Sequence, residues 1–165
     1  MRARGRQMER VEAERGYSLP ELLIVIALIG LFVLFGGPSL NEAFKSYKVR
    51  AAANNLATDI KALRYNAVAN RTPRTMTLNN QNHATAPNQY SYTNAKGNPI
   101  IVRIEGGVNI ESASIATITF NINGSTGVAG AQVVQVSLQI NDSRSDRYTI
   151  SVTPTGTVST AYSTF

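Results

Sequence analysis

The side chains in this sequence that could do chemistry are few and far apart. Histidine occurs once, as His83 in the polar stretch Asn79 to Asn88, and cysteine is absent. A thiolate metal site, a disulfide or a cysteine nucleophile is thereby excluded, and an isolated histidine among polar neighbours reads as a solvent-exposed side chain. The acidic residues beyond position 100 are Glu105, Glu111, Asp142 and Asp146. Asp142 and Asp146 share a polar stretch with Arg144 and Arg147, which reads as surface charge balance in preference to a weak calcium site. Serine and threonine are abundant, yet none has a histidine near it in sequence or the glycine pattern of a nucleophile elbow. Glu105-Gly106-Gly107 lacks the lysine and the following helix of a phosphate-cradling loop. These residue types point away from an enzyme, a metal and a cofactor. Arg71, Arg74, Arg144 and Arg147 could contact phosphates and Tyr90 and Tyr92 could stack on bases, with solvated loop charge as the competing reading.

One carboxylate is placed where its chemistry is unusual. Leu22 to Gly37 is a run of sixteen residues with no charged or strongly polar side chain, and Glu21 stands at its head. A helix rises 1.5 Å per residue, so about 20 residues cross a hydrocarbon core, and Tyr17 to Leu40 is long enough to do so. An ionised carboxylate at the edge of hydrocarbon costs several kcal/mol unless a partner neutralises it. Cleavage at the small-residue site Gly16-Tyr17 would supply that partner, because the new α-amino group lies four residues, one helical turn, before Glu21. A neighbouring copy would offer the same amine, so the pair would register one subunit against the next. The formal charge of +6 is distributed accordingly: five arginines and three glutamates occupy residues 1–16, ahead of the apolar run. That asymmetry predicts a cytoplasmic N-terminus and an extracytoplasmic remainder. An ordinary secretory signal fits poorly, since its cleavage site would follow the apolar run.

The stretch Arg15-Gly16-Tyr17-Ser18-Leu19-Pro20-Glu21-Leu22-Leu23 resembles the processing signal of type IV pilins and pseudopilins. The resemblance implies cleavage after Gly16 by a prepilin peptidase, N-methylation of Tyr17, and a role for Glu21 in assembly. It also implies that Pro38 falls where pilins often carry a helix-kinking proline. Ala57 to Asn70, the segment Phe120 to Gly124 and the closing Tyr148 to Gly156 are similar to the GspH/FimT family of minor pilins and pseudopilins. The expected partners are other pilin or pseudopilin subunits, the peptidase and methyltransferase, an inner-membrane assembly platform and membrane lipid. The expected role is a subunit of a type II secretion pseudopilus or a type IV pilus. The alternative is a DNA-binding minor pilin for uptake, but Gly156-Thr157-Val158-Ser159 lacks the basic signature that follows the last glycine in DNA-binding members.

The elements that must position these residues follow from periodicity. Leu40, Phe44, Tyr47 and Ala51 are spaced as on a helix, and Leu56, Ile60, Leu63 and Ala67 repeat the spacing. The spacing predicts a helix from Tyr17 to about Asn70, ended by Thr72-Pro73. Beyond Arg74 the period becomes two, with strands expected at 74–79, 88–93, 99–104, around Ile118 to Ile122, Val134 to Ile140, Tyr148 to Val152, and 156–161. Asn141 to Asp146 reads as the loop between two of them. The predicted architecture is α+β: a leader at 1–16, a membrane and filament-core helix at 17–40, an amphipathic continuation at 41–70, and a β-rich head at 71–165. In that head one helix covers the apolar face of an antiparallel sheet.

Overall fold

The computed structural model describes residues 17–79, 88–104, 106–111 and 114–165, with the backbone alone at 34–38. The leader with Gly16, the lone His83 and Glu105 lie outside the described residues. One α-helix, α1 (Leu19–Ala69), is followed by β1 (Arg74–Asn79), β2 (Gln89–Thr93), β3 (Pro99–Arg103), β4 (Asn109–Ile110), β5 (Thr117–Phe120), β6 (Gln132–Asn141), β7 (Arg144–Val152) and β8 (Val158–Thr164). The chain divides into two compact units between Ser39 and Leu40. That division falls just after Pro38, through which α1 is assigned without interruption.

In the first unit every large apolar side chain described from Leu22 to Val33 is exposed, Ile24 at 61% and Phe32 at 77%. A helix that is apolar on all faces has no surface suited to water, so it requires a covering of lipid or protein. Among the described residues no helix is long and apolar enough to cross a membrane.

In the second unit α1 buries Val49, Ala53, Leu56, Ala57, Ile60, Leu63 and Ala67. Each large aliphatic side chain on that face contributes about 2 kcal/mol by leaving water. Leu40, Phe44 and Tyr47, which have the same helical spacing, are instead exposed at 59%, 64% and 69%. At 100° per residue, positions nine apart face opposite sides of a helix, so Phe44 opposes Ala53 and Tyr47 opposes Leu56. The two helical runs share a period but are out of phase.

The strands form two four-stranded antiparallel sheets, ordered β3-β2-β1-β5 and β4-β6-β7-β8, where a single sheet was expected. Sequence alternation marks each strand without saying which neighbour it takes. The short β4 pairs with β6 through Asn109↔Ser137 and Ile110↔Val136, which starts the second sheet. Met76, Tyr90, Ile118 and Phe120 from the first sheet meet Ile110, Val134, Val136, Ile150 and Val152 from the second in one core with α1. Three strands differ from expectation at their boundaries, among them β8, expected at 156–161 and found at Val158–Thr164. Ile122 lies beyond β5 and is exposed at 53%. The loop expected at Asn141–Asp146 is a tighter hairpin, with β6 ending at Asn141 and β7 starting at Arg144.

Candidate functional site

At its start α1 is capped by the Ser18 carbonyl, which accepts from the backbone N–H groups of Glu21 and Leu22 at 3.0 and 3.2 Å. Glu21 is the acidic residue of the first turn, where the helix dipole favours a negative charge. Ser18-x-x-Glu21 also has the capping-box spacing. Tyr17 precedes the helix and is 85% exposed. Tyr17, Glu21, Leu22 and Val25 line a hollow of about 280 Å³, so the aromatic and the carboxylate are neighbours on one side of the helix start.

Farther along α1, three separate sequence features converge on one latch. Arg64 donates through Nε to the Gly124 carbonyl at 3.0 Å and through Nη2 to the Thr155 carbonyl at 3.3 Å. Gly124 and Gly156 both have positive φ, at 79° and 83°. A Cβ on Gly156 would stand 2.0 Å from the Gly124 oxygen and 2.6 Å from Arg64 Nε. Only glycine permits this approach, which closes the β7–β8 turn onto the helix and the turn after β5. The latch also walls a hollow of about 550 Å³ lined by Lys61, Arg64, Tyr65, Val68 and Gly156–Val158.

The other end of the head is held by a buried carboxylate. Asp146, expected on the surface, is 1% exposed. Because β7 begins at Arg144, the alternation that turns Tyr148, Ile150 and Val152 inward turns Asp146 inward as well. Its oxygens accept from Ser46 Oγ at 2.7 Å, Arg144 Nε at 2.8 Å and the Tyr162 hydroxyl at 3.1 Å. The Tyr162 hydroxyl also accepts from Arg144 Nη2 at 3.0 Å, and that bond, followed by Asp146, pushes the guanidinium above its ordinary pKa. Helix, hairpin and last strand are tied together there. In the middle of the head the buried Tyr90 donates its hydroxyl to Asp59 at 2.6 Å. Burial, then Asp59, raises the Tyr90 phenol well above its ordinary range, and the same causes raise Tyr92 to a smaller extent.

The candidate nucleic-acid contacts do not gather into one patch. Arg71 and Arg74 stand at the C-terminal exit of α1, whereas Arg144 is linked through Asp146 to Ser46. Along the helix that separation is about 36 Å. Arg144 and Arg147 are paired with Asp146 and Glu111, each at 2.8 Å, and Arg147 lies over the Phe165 ring at 3.9 Å. Tyr90 is buried and unable to stack on a base. Arg71 serves the backbone: at φ 48° it is the left-handed residue ending α1, and the next N–H, of Thr72, returns to the Ala67 carbonyl at 3.2 Å. Among the described residues no group of His, Asp or Glu is placed to hold a metal ion.

Searches of curated proteins and of solved structures return no match. A protein-family model described as type II transport protein GspH matches residues 52–156, from the buried stretch of α1 to the glycine of the latch. The match covers well over half of the chain and takes in Arg64, Gly124 and Gly156. This chain therefore belongs to the GspH family.

Proposed function

We propose that the chain is a minor pilin-like subunit of a type II secretion pseudopilus, a structural part and not an enzyme. It is cut after Gly16, methylated at Tyr17, and held in the inner membrane through residues 17–40 with its N-terminus cytoplasmic and its head outside. From there it is drawn into a filament alongside other pseudopilin subunits by the assembly platform. The observation that carries this reading is the family match over residues 52–156. It is supported by the exposed apolar helix, which needs a covering, and by the sequence, in which the run continues uncharged to Gly37.

Within the filament Glu21 pairs with the terminal amine of a neighbour while the apolar residues after it pack on equivalent helices. Helix capping and intersubunit pairing make different demands on this residue. Glu21→Gln keeps the capping geometry and removes the charge. The expected outcome is that both Glu21→Gln and Glu21→Ala are processed and membrane-bound but absent from sheared filaments. Normal incorporation of the glutamine variant would refute the pairing. Mass spectrometry of the mature chain should find N-methylated Tyr17 as its first residue, and any other start overturns the processing step. Deletion of the gene should abolish export of secreted proteins and leave surface pili intact; the opposite pattern assigns the chain to a type IV pilus.

A further inference from the structure

β8 is an edge strand, and among the described residues it lacks the usual protections of one. Of the other terminal strands in the two sheets, β3 opens with Pro99 and closes with Arg103, β4 has two residues and β5 has four. β8 has seven, Val-Ser-Thr-Ala-Tyr-Ser-Thr, with no charge and no proline. Natural sheets commonly blunt such an edge, because its unpaired N–H and C=O groups template another strand.

The orientation of those groups follows from the register. Ser145 and Phe165 exchange both N–H···O bonds, at 2.8 and 3.1 Å, so they form a hydrogen-bonded pair. Counting by two along β7 and β8 puts Ser163, Ala161 and Ser159 in the same kind of pair, opposite Arg147, Thr149 and Ser151. The intervening Val158, Thr160, Tyr162 and Thr164 therefore direct their N–H and C=O groups away from β7. The side chains of these four residues lie on the same face as Ile150 and Val152, the face that α1 covers.

A hollow lies beside each end of this strand, between it and α1. At Val158 it measures about 550 Å³ and presents Lys61, Arg64 and Tyr65. At Tyr162 it measures about 350 Å³ and presents Tyr47, Arg50 and Arg144. The two linings together contain four cations and one acid; Arg64 is engaged by the Gly124 and Thr155 carbonyls and Arg144 by Asp146, so the cations of these linings not so engaged among the described residues are Lys61 and Arg50.

We infer that β8 receives an extended acidic segment of a partner polypeptide as a further antiparallel or parallel strand, with its carboxylates directed to Lys61 and Arg50. Backbone pairing supplies the affinity, and the flanking cations select the charge. A second copy of this chain is a poorer occupant, since β8 has no acidic residue to offer in return. The inference concerns the head alone and does not depend on how residues 17–40 are processed or inserted.

The test uses the full chain in detergent and a short fluorescent peptide of alternating valine and glutamate, followed by anisotropy. The peptide should bind, and a lysine-for-glutamate analogue should bind at least about tenfold more weakly. Thr160→Pro removes an outward N–H without touching the β7 ladder, so it should abolish binding while the melting temperature holds. Lys61→Glu should weaken binding by about tenfold and reduce its salt dependence. If Thr160→Pro fails to fold, a peptide N-methylated at alternate residues tests the same backbone pairing on the unaltered protein and should not bind. Absence of binding up to about 1 mM, or binding indifferent to both backbone changes, overturns the inference. So does capture of a single-stranded oligonucleotide in place of the peptide, which would assign the cations to phosphates.

Discussion

At the residue scale the head depends on two carboxylates that could not be valued from their neighbours in sequence. Asp146 draws a helix serine, a hairpin arginine and a C-terminal tyrosine to one buried point. Ser46→Ala leaves that carboxylate short of a donor and should destabilise the head by about 1.5 kcal/mol, measured as a lower denaturant midpoint with unchanged slope. Asp59 and Tyr90 make a second such point. A tyrosine whose folded pKa exceeds its unfolded value contributes stability that is complete below the unfolded pKa and is lost as pH rises toward the folded one. The Tyr90 contribution should therefore be constant up to about pH 10 and decline above it. Tyr90→Phe should cost about 1.5 kcal/mol at neutral pH and flatten the alkaline decline, as followed by urea titration across pH 8 to 11. Neither role was legible: Asp146 reads as surface charge until the hairpin position fixes its parity, and Tyr90 reads as a stacking ring until its burial is known.

At the element scale the Arg64 latch separates two effects of glycine. Gly97 and Gly156 have nearly the same φ, 86° and 83°, but a Cβ on Gly97 meets open space. Gly97→Ala should cost about 1 kcal/mol through backbone conformation alone. Gly156→Ala adds the clash with the Gly124 carbonyl and should cost more than about 3 kcal/mol, which thermal melts of the two variants would compare directly. Most elements were readable. The change of period at Arg74 separated helix from strands, and seven of the eight strands fell at or near their expected places. The two-residue β4 was missed because so short a strand has no period to detect. Since β4 starts the second sheet, the division into two sheets was missed with it.

At the scale of the whole molecule, Leu40, Phe44 and Tyr47 are exposed and lie outside the core, and the proposed assembly would cover them. Phe44→Ser should change head stability by less than about 0.5 kcal/mol and yet lower the amount of chain recovered in filaments, read by melting and by shearing. A large loss of stability would place Phe44 in the core instead. The sequence by itself determined the apolar run with its leading glutamate, the α+β class, and the resemblance that the family match over residues 52–156 supports. These are properties of composition and period, which act locally along the chain. Tertiary structure alone decided which helix face is buried, since two stripes of equal period differ only in phase and the sheets select one. It also decided that Asp146 faces inward, that Arg64 joins the Gly124 and Thr155 carbonyls, and that β8 is the terminal strand of its sheet. Each of those depends on strand pairing and register, where contact partners stand up to a hundred residues apart and no local pattern encodes the choice.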